Sequence, residues 1–221
     1  DSFGWSITSG DFNADSKVDL AVGAVGYSSN TGRVYIFHND GSIPTTAATA
    51  DVTITGETAG DELGYSVTSG DLNADGRMDL VANAPNYSST LGRVYLFYND
   101  GSIPTTAATA DMIFAGENTA DSFGYRFVAG DLNADGKTDL VISAGTYNTD
   151  YGRVYVYTFN DKVITGNATG DQFGGGGLKT GDFNSDGKVD LIVGAPEYSS
   201  QTGCVYIFYN DGTLPTTAAT A

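Results

Sequence analysis

Asp71-Leu-Asn73-Ala-Asp75-Gly-Arg77-Met-Asp79 runs straight into Leu80-Val-Ala, and the same nine-residue pattern stands in three other places. These are Asp11-Phe-Asn13-Ala-Asp15-Ser-Lys17-Val-Asp19, Asp131-Leu-Asn133-Ala-Asp135-Gly-Lys137-Thr-Asp139 and Asp182-Phe-Asn184-Ser-Asp186-Gly-Lys188-Val-Asp190. Side-chain oxygens at positions 1, 3, 5 and 9, with the backbone carbonyl of position 7 (Lys17, Arg77, Lys137, Lys188), can wrap one hard cation. The set holds no thiol or imidazole, which points to Ca²⁺ rather than zinc or iron. Gly at position 6 permits the positive φ of so sharp a turn; Ser16 at that place predicts a strained first loop. An EF-hand would put a bidentate Glu at position 12, where this chain has Val22, Ala82, Ile142 and Val193. The metal-free alternative is an ordinary Asx turn, which would leave three carboxylates repelling one another in each loop.

Each loop belongs to a longer repeat. Asp1-Ser-Phe-Gly4 returns as Asp61-Glu-Leu-Gly64, Asp121-Ser-Phe-Gly124 and Asp171-Gln-Phe-Gly174, at spacings of 60, 60 and 50 residues. Gly41 to Asp51 recurs letter for letter at Gly101 to Asp111, and its absence from the third copy accounts for the shorter period. No linker interrupts the pattern, so the expectation is one domain, 1–221, of four units at approximately 1–60, 61–120, 121–170 and 171–221.

Within a unit four short strands are expected. The first follows the Phe-Gly pair (Trp5 to Thr8, Tyr65 to Thr68, Tyr125 to Val128). The second is continuously apolar (Leu20 to Ala24, Leu80-Val-Ala, Leu140-Val-Ile, Leu191-Ile-Val), as in strands covered on both faces. The third is Tyr-rich (Val34 to Phe37, Val94 to Tyr98, Val154 to Tyr157, Val205 to Tyr209). The fourth is Val52 to Thr55, Met112 to Phe114 or Lys162 to Ile164, and the last unit reaches Ala221 just where its own fourth strand should follow. A small antiparallel sheet needing cover on both sides is a propeller blade, because neighbouring blades supply the cover. The fold class expected is therefore all-β, a β-propeller of four blades per chain. Phe173-Gly-Gly-Gly-Gly-Leu178 carries one extra residue and predicts a β-bulge or a slack edge. Without a following Lys-Ser/Thr or a helix it is no phosphate loop.

Composition narrows the function. The 221 residues carry 27 acidic against 10 basic groups, a net charge of −17. Such a chain is repelled by a nucleic-acid backbone or an anionic membrane. No apolar run approaches the ~20 residues that span a bilayer, and no basic-then-apolar signal follows Asp1. The single Cys204 can make no internal disulfide. With one His (His38) and twelve of 23 Asp residues committed to the loops, no separate acid–base pair stands out, and an enzyme is not expected. Four bound Ca²⁺ would change the formal charge from −17 to −9 (−17 + 8).

The succession of Phe-Gly, Asp-x-Asn-x-Asp-Gly-x-x-Asp, Gly194-Ala-Pro196 and Gly-Arg-Val-Tyr resembles the FG-GAP repeat of integrin α-subunit propellers and their bacterial relatives. The resemblance covers essentially the whole chain. Departures are Gly23-Ala-Val25, Asn83-Ala-Pro85 and Ser143-Ala-Gly145 in place of the Gly-Ala-Pro triplet, and Leu63 in place of Phe. The resemblance implies structural Ca²⁺, about four per chain, on one face of a propeller, and ligand binding on the opposite face. Integrin-type propellers have seven blades. Blades cut for a seven- or eight-blade ring subtend about 51° or 45°, so four of them close only half a ring. Two chains head to tail would close an eight-bladed homodimer with no exposed apolar blade face. A self-closed four-blade monomer and an excised fragment are the rivals.

On the ligand face, the loops between second and third strands share a Tyr: Tyr27, Tyr87, Tyr147 and Tyr198. With their Ser and Asn neighbours these suit a glycan or a protein ligand; alternatively each packs within the fold. Cys204 stands where Arg33, Arg93 and Arg153 stand. The resulting expectation is a non-enzymatic, calcium-stabilised binding or scaffold module that self-associates, with a carbohydrate-binding lectin as the alternative. Loops that suit millimolar extracellular Ca²⁺ point to a secreted or cell-surface setting.

Overall fold

The computed structural model describes residues 1–221 apart from 45, 158–160, 212 and 221. The chain divides into two compact units, Asp1–Ala115 and Gly116–Ala221. Among the described residues no helix is long and apolar enough to cross a membrane.

The first unit holds two sheets. β1 (Phe3–Gly10), β2 (Asp19–Ala24), β3 (Arg33–Phe37) and β4 (Val52–Thr55) pair antiparallel in chain order, as do β5 (Val67–Gly70), β6 (Asp79–Ala84), β7 (Arg93–Phe97) and β8 (Met112–Ala115). Registers such as Ala21↔Ile36 on one face and Val22↔Tyr35 on the other place apolar residues opposite one another. β6 is buried along its whole length, as its unbroken apolar run requires. β5 starts two residues later than its sequence suggests, because the Tyr65 amide closes a turn onto the Glu62 carbonyl (3.2 Å).

The two sheets of this unit share one core. Val34, Ile36 and Ile54 of the first meet Leu63, Val67, Tyr95 and Phe97 of the second. A corner formed by Leu63 and Gly64 plugs into the first sheet. Leu63 bridges Gly32, and the Leu63 amide donates to the Thr31 carbonyl at 3.1 Å. The approach is so close that a Cβ on Gly32 would lie 2.2 Å from the Leu63 nitrogen, and one on Gly23 would lie 2.0 Å from the Gly64 carbonyl oxygen. Only glycine fits at either place. Part of the duplicated stretch also reaches back, with the Thr55 amide donating to the Thr105 carbonyl at 3.0 Å.

The second unit repeats this plan. β9 (Phe123–Gly130), β10 (Asp139–Ala144), β11 (Arg153–Tyr157) and β12 (Lys162–Thr165) form one sheet, and β13 (Gly177–Gly181), β14 (Asp190–Ala195) and β15 (Cys204–Phe208) the other. Val154, Val156 and Ile164 pack with Phe173, Leu178 and Leu191. Phe173 bridges Gly152 as Leu63 bridges Gly32. Gly174 donates to the Gly194 carbonyl at 2.9 Å and pairing resumes at Gly177↔Gly194, so the glycine run absorbs the extra residue in a bulge. All four sheets are antiparallel blades of the propeller type, and the chain is all-β as its pattern requires. The last sheet has three strands among the described residues, without the outer strand that completes the other three.

Candidate metal centres

Each acidic loop joins the first two strands of a sheet, and the four share one hydrogen-bond scheme. In the second, the Asp75 amide donates to both Asp71 Oδ1 and Asn73 Oδ1 at 3.0 Å, and the Gly76 amide to Asp71 Oδ2 at 2.9 Å. The Arg77 amide donates to Asp75 Oδ1 at 2.9 Å. The same bonds, within 0.1 Å, recur at Asp131, Asn133 and Asp135 and at Asp182, Asn184 and Asp186. They recur also at Asp11, Asn13 and Asp15, where the Ser16 amide donates to Asp11 Oδ2 at 2.8 Å. Short side chains bonding amides two to five residues ahead are what Asp and Asn do in tight turns.

Ser16 adopts φ +67°, as strained as its sequence suggests, where Gly76, Gly136 and Gly187 have φ +84° to +86°. Position 4 is left-handed too, with Ala14, Ala74, Ala134 and Ser185 at φ +57° to +63°. The sequence reading did not anticipate that, since nothing in an Ala marks it.

The ninth residue behaves differently from the others. Asp19, Asp79, Asp139 and Asp190 are buried. One oxygen of each accepts the amide of loop position 2, at 2.7–2.9 Å. For Asp19, Asp79 and Asp190 the other oxygen accepts the amide of Asn39, Asn99 or Asn210 at 2.8 Å. This carboxylate therefore pins the loop to the turn after the third strand. Burial pushes the Asp139 carboxyl up to about 6 despite the pull of the Leu132 amide, and the Asp135 and Asp131 charges push the same way. Asp79 is raised first by burial, against the Asn99 and Leu72 amides.

Among the described residues no three acidic, His or Cys side chains converge as a formed metal cage, because the loop oxygens are turned onto the loop's own amides. The donor chemistry nevertheless fits a hard divalent cation. Three carboxylates and an amide oxygen share one nine-residue turn, and each singly bonded carboxylate oxygen keeps a free lone pair. In the first loop Lys17 Nζ lies 3.2 Å from Asp15 Oδ2, an exposed pair that contributes little.

Three of the four tyrosines have one aromatic face covered by an arginine of their own sheet. The Arg33, Arg93 and Arg153 guanidiniums lie 3.6–3.7 Å from the ring centroids of Tyr27, Tyr87 and Tyr147, each covering one aromatic face. Arg93 Nη1 and the Tyr95 hydroxyl both donate to Glu57 Oε1 at 2.8 Å. Arg153 and Tyr155 use Glu117 in the same way. In the last sheet Cys204 replaces the arginine and Asn167 stands in the place of the glutamate. Among the described residues, Tyr198 is left exposed with the edge of Tyr206 beside it, and Asp171 Oδ2 is buried without a hydrogen-bond partner. Glu57 and Glu117 carried no signal alone. Their loss in step with the arginine was the available clue.

A family model described as FG-GAP repeat matches residues 3–37, 63–97, 123–157 and 173–208. Integrin alpha-PS5 of Drosophila melanogaster is 36% identical over 159 residues, and integrin alpha-8 of Homo sapiens 32% over 162; each match covers 66% of this chain and 15% of the relative. The phosphatidylinositol-glycan-specific phospholipase D of Homo sapiens is 33% identical over 176 residues, covering 69% of this chain and 21% of that enzyme. The solved structure of rhamnogalacturonan lyase YesW superposes with a TM-score of 0.55 at 15% identity, over 85% of this chain and 40% of its own, a likeness of fold alone. The matched segments each run from the Phe-Gly corner through the acidic loop to the third strand, and the chain belongs to the FG-GAP repeat family.

Proposed function

We propose that the chain is a non-enzymatic β-propeller binding module whose blades are held by Ca²⁺ and which associates with a second copy of itself. The observation that supports the calcium reading is the congruence of the four loops, bond for bond, around Asp, Asn, Asp and Asp. Asp71, Asn73, Asp75 and Asp79, with the Arg77 carbonyl, would hold the ion in the second loop, and their counterparts would do so elsewhere. Bound there, Ca²⁺ would offset the repulsion among the loop carboxylates, which adds to burial in raising Asp79 and Asp139. Several acids outside the loops serve as turn caps or ion-pair partners, Asp51 and Asp111 accepting the His38 and Tyr98 amides and Glu57 and Glu117 pairing with Arg93 and Arg153. That use supports a module without catalysis. A secreted or cell-surface setting, where Ca²⁺ is millimolar, fits such loops.

Calorimetric titration of the chelator-treated chain with Ca²⁺ tests this. Saturable heat approaching four sites, with a matching rise in Tm, supports the proposal; no heat and no shift refute it.

A glycan-binding reading narrows to one position, Tyr198. Of the four it is the one without a guanidinium over its ring among the described residues, because Cys204 stands in the arginine's place. A glycan array with no hit that Tyr198→Ala abolishes removes that reading.

A further inference from the structure

We infer that a cavity on the last sheet, beside Gly194, Gly203 and Val205, is a socket for the Phe3-Gly4 corner of a second copy of the chain. This rests on the self-association proposed above and names its contact. The inside of each unit supplies the template. In the first unit the Leu63-Gly64 corner sits against Gly23, Gly32 and Val34; in the second the Phe173-Gly174 corner sits against Ser143, Gly152 and Val154. The counterparts on the last sheet are Gly194, Gly203 and Val205, and there nothing is inserted. A Cβ on Gly194 or Gly203 would meet no atom closer than 3.4 Å or 3.6 Å. Val205 is 63% exposed where Val34 and Val154 are fully buried. A cavity of about 500 Å³ opens here, lined also by Ala195, Pro196 and Cys204.

The matching plug stands unused on the first sheet. Phe3 is 44% exposed where Leu63 and Phe173 are fully buried, and Ile7 is 60% exposed where Val67 and Leu178 are 8% and 5%. A Cβ built on Gly4 meets nothing within 4 Å, although its φ of +90° matches the +84° and +87° of Gly64 and Gly174. The corner is thus already in the shape that its counterparts use when inserted. Exposed Phe, Trp5 and Ile side chains on one strand form an apolar patch that water disfavours. Each copy carries one plug and one socket, so two copies meeting head to tail satisfy both with twofold symmetry.

Light scattering in millimolar Ca²⁺ tests the socket on the full chain. The expected mass is twice 23.0 kDa. Val205→Arg sets a charged side chain in the cavity at the position where Val34 and Val154 meet the inserted corner, while its own exposure leaves its chain room for it. This variant should be monomeric with an unchanged circular-dichroism spectrum, as should Phe3→Asp. Mixing the two leaves one intact plug and one intact socket per pair, and the double mass should return. A wild-type monomer, a Val205→Arg chain that still dimerises, or a mixture that stays monomeric would each overturn the inference. Failure of the calcium reading is separate, since it shows as absent heat whatever the mass.

Discussion

The Asn99 side-chain amide donates to the Phe12 carbonyl at 3.0 Å across 87 residues of chain, while the Asn99 backbone amide donates to Asp79 Oδ1 at 2.8 Å. One buried asparagine therefore ties the acidic loop of the first sheet to that of the second. The two loops of this unit are mechanically joined through it.

Removing that link should be costly. Asn99→Ala leaves the Phe12 carbonyl buried without its donor, a loss of ~1–3 kcal/mol. Urea denaturation should show the drop, and calcium titration should show weaker binding in both loops of the unit rather than in one.

Calcium itself should stabilise in proportion to the number of intact loops. At a concentration tenfold above Kd each site contributes about 1.4 kcal/mol. Asp71→Ala should lower the calorimetric stoichiometry by one site and remove that share of the Tm rise, leaving the chelated chain little changed.

Ser16→Gly should raise stability by about 1 kcal/mol, because an L-residue in the left-handed region carries a cost that glycine does not. Thermal unfolding with and without Ca²⁺ checks it. A variant less stable than the parent would show that the Ser16 side chain contributes something its φ of +67° conceals.

The arginine clamps should differ in strength. Arg93→Ala uncovers Tyr87 and leaves the mostly buried Glu57 carboxylate without its cation, at a cost of about 1–2 kcal/mol. Arg153→Ala should cost less, because Glu117 is about half exposed and water screens the pair. Conversely, Asn167→Glu combined with Cys204→Arg should install the missing clamp and gain up to ~1 kcal/mol. Denaturation midpoints of the three variants measure the series.

Gly23→Ala tests the inserted corner inside the first unit. Its Cβ would meet the Gly64 carbonyl at 2.0 Å inside the first unit, so the corner must withdraw. A loss of ~1–3 kcal/mol or more is expected from such overpacking, read as a lower urea midpoint, whereas the same change at Gly194 should leave the midpoint of the isolated chain where it was.

The parts legible in the residues are those set by neighbours a few positions away. The acidic loops close through bonds spanning two, four and five residues, so their pattern appears directly as Asp-x-Asn-x-Asp. The strands follow from apolar runs between turns, and the fourfold repeat multiplies both signals. The left-handed alanines and the double-bonded ninth aspartate were hidden, because each depends on atoms that local pattern does not name.

Sequence by itself determined the repeat, the all-β blades, the oxygen-rich loops and the acidic surface, since local hydrogen bonding and alternation of burial act over a handful of residues. Tertiary structure alone decided that Arg33, Arg93 and Arg153 cover three tyrosines, the latter two also reaching glutamates 36 residues away, while Tyr198 lacks such cover. It decided, too, that Phe3 and Val205 stand in water while their counterparts are buried. The reason is physical: identical side chains in successive repeats differ in energy only through what the adjoining sheet places against them.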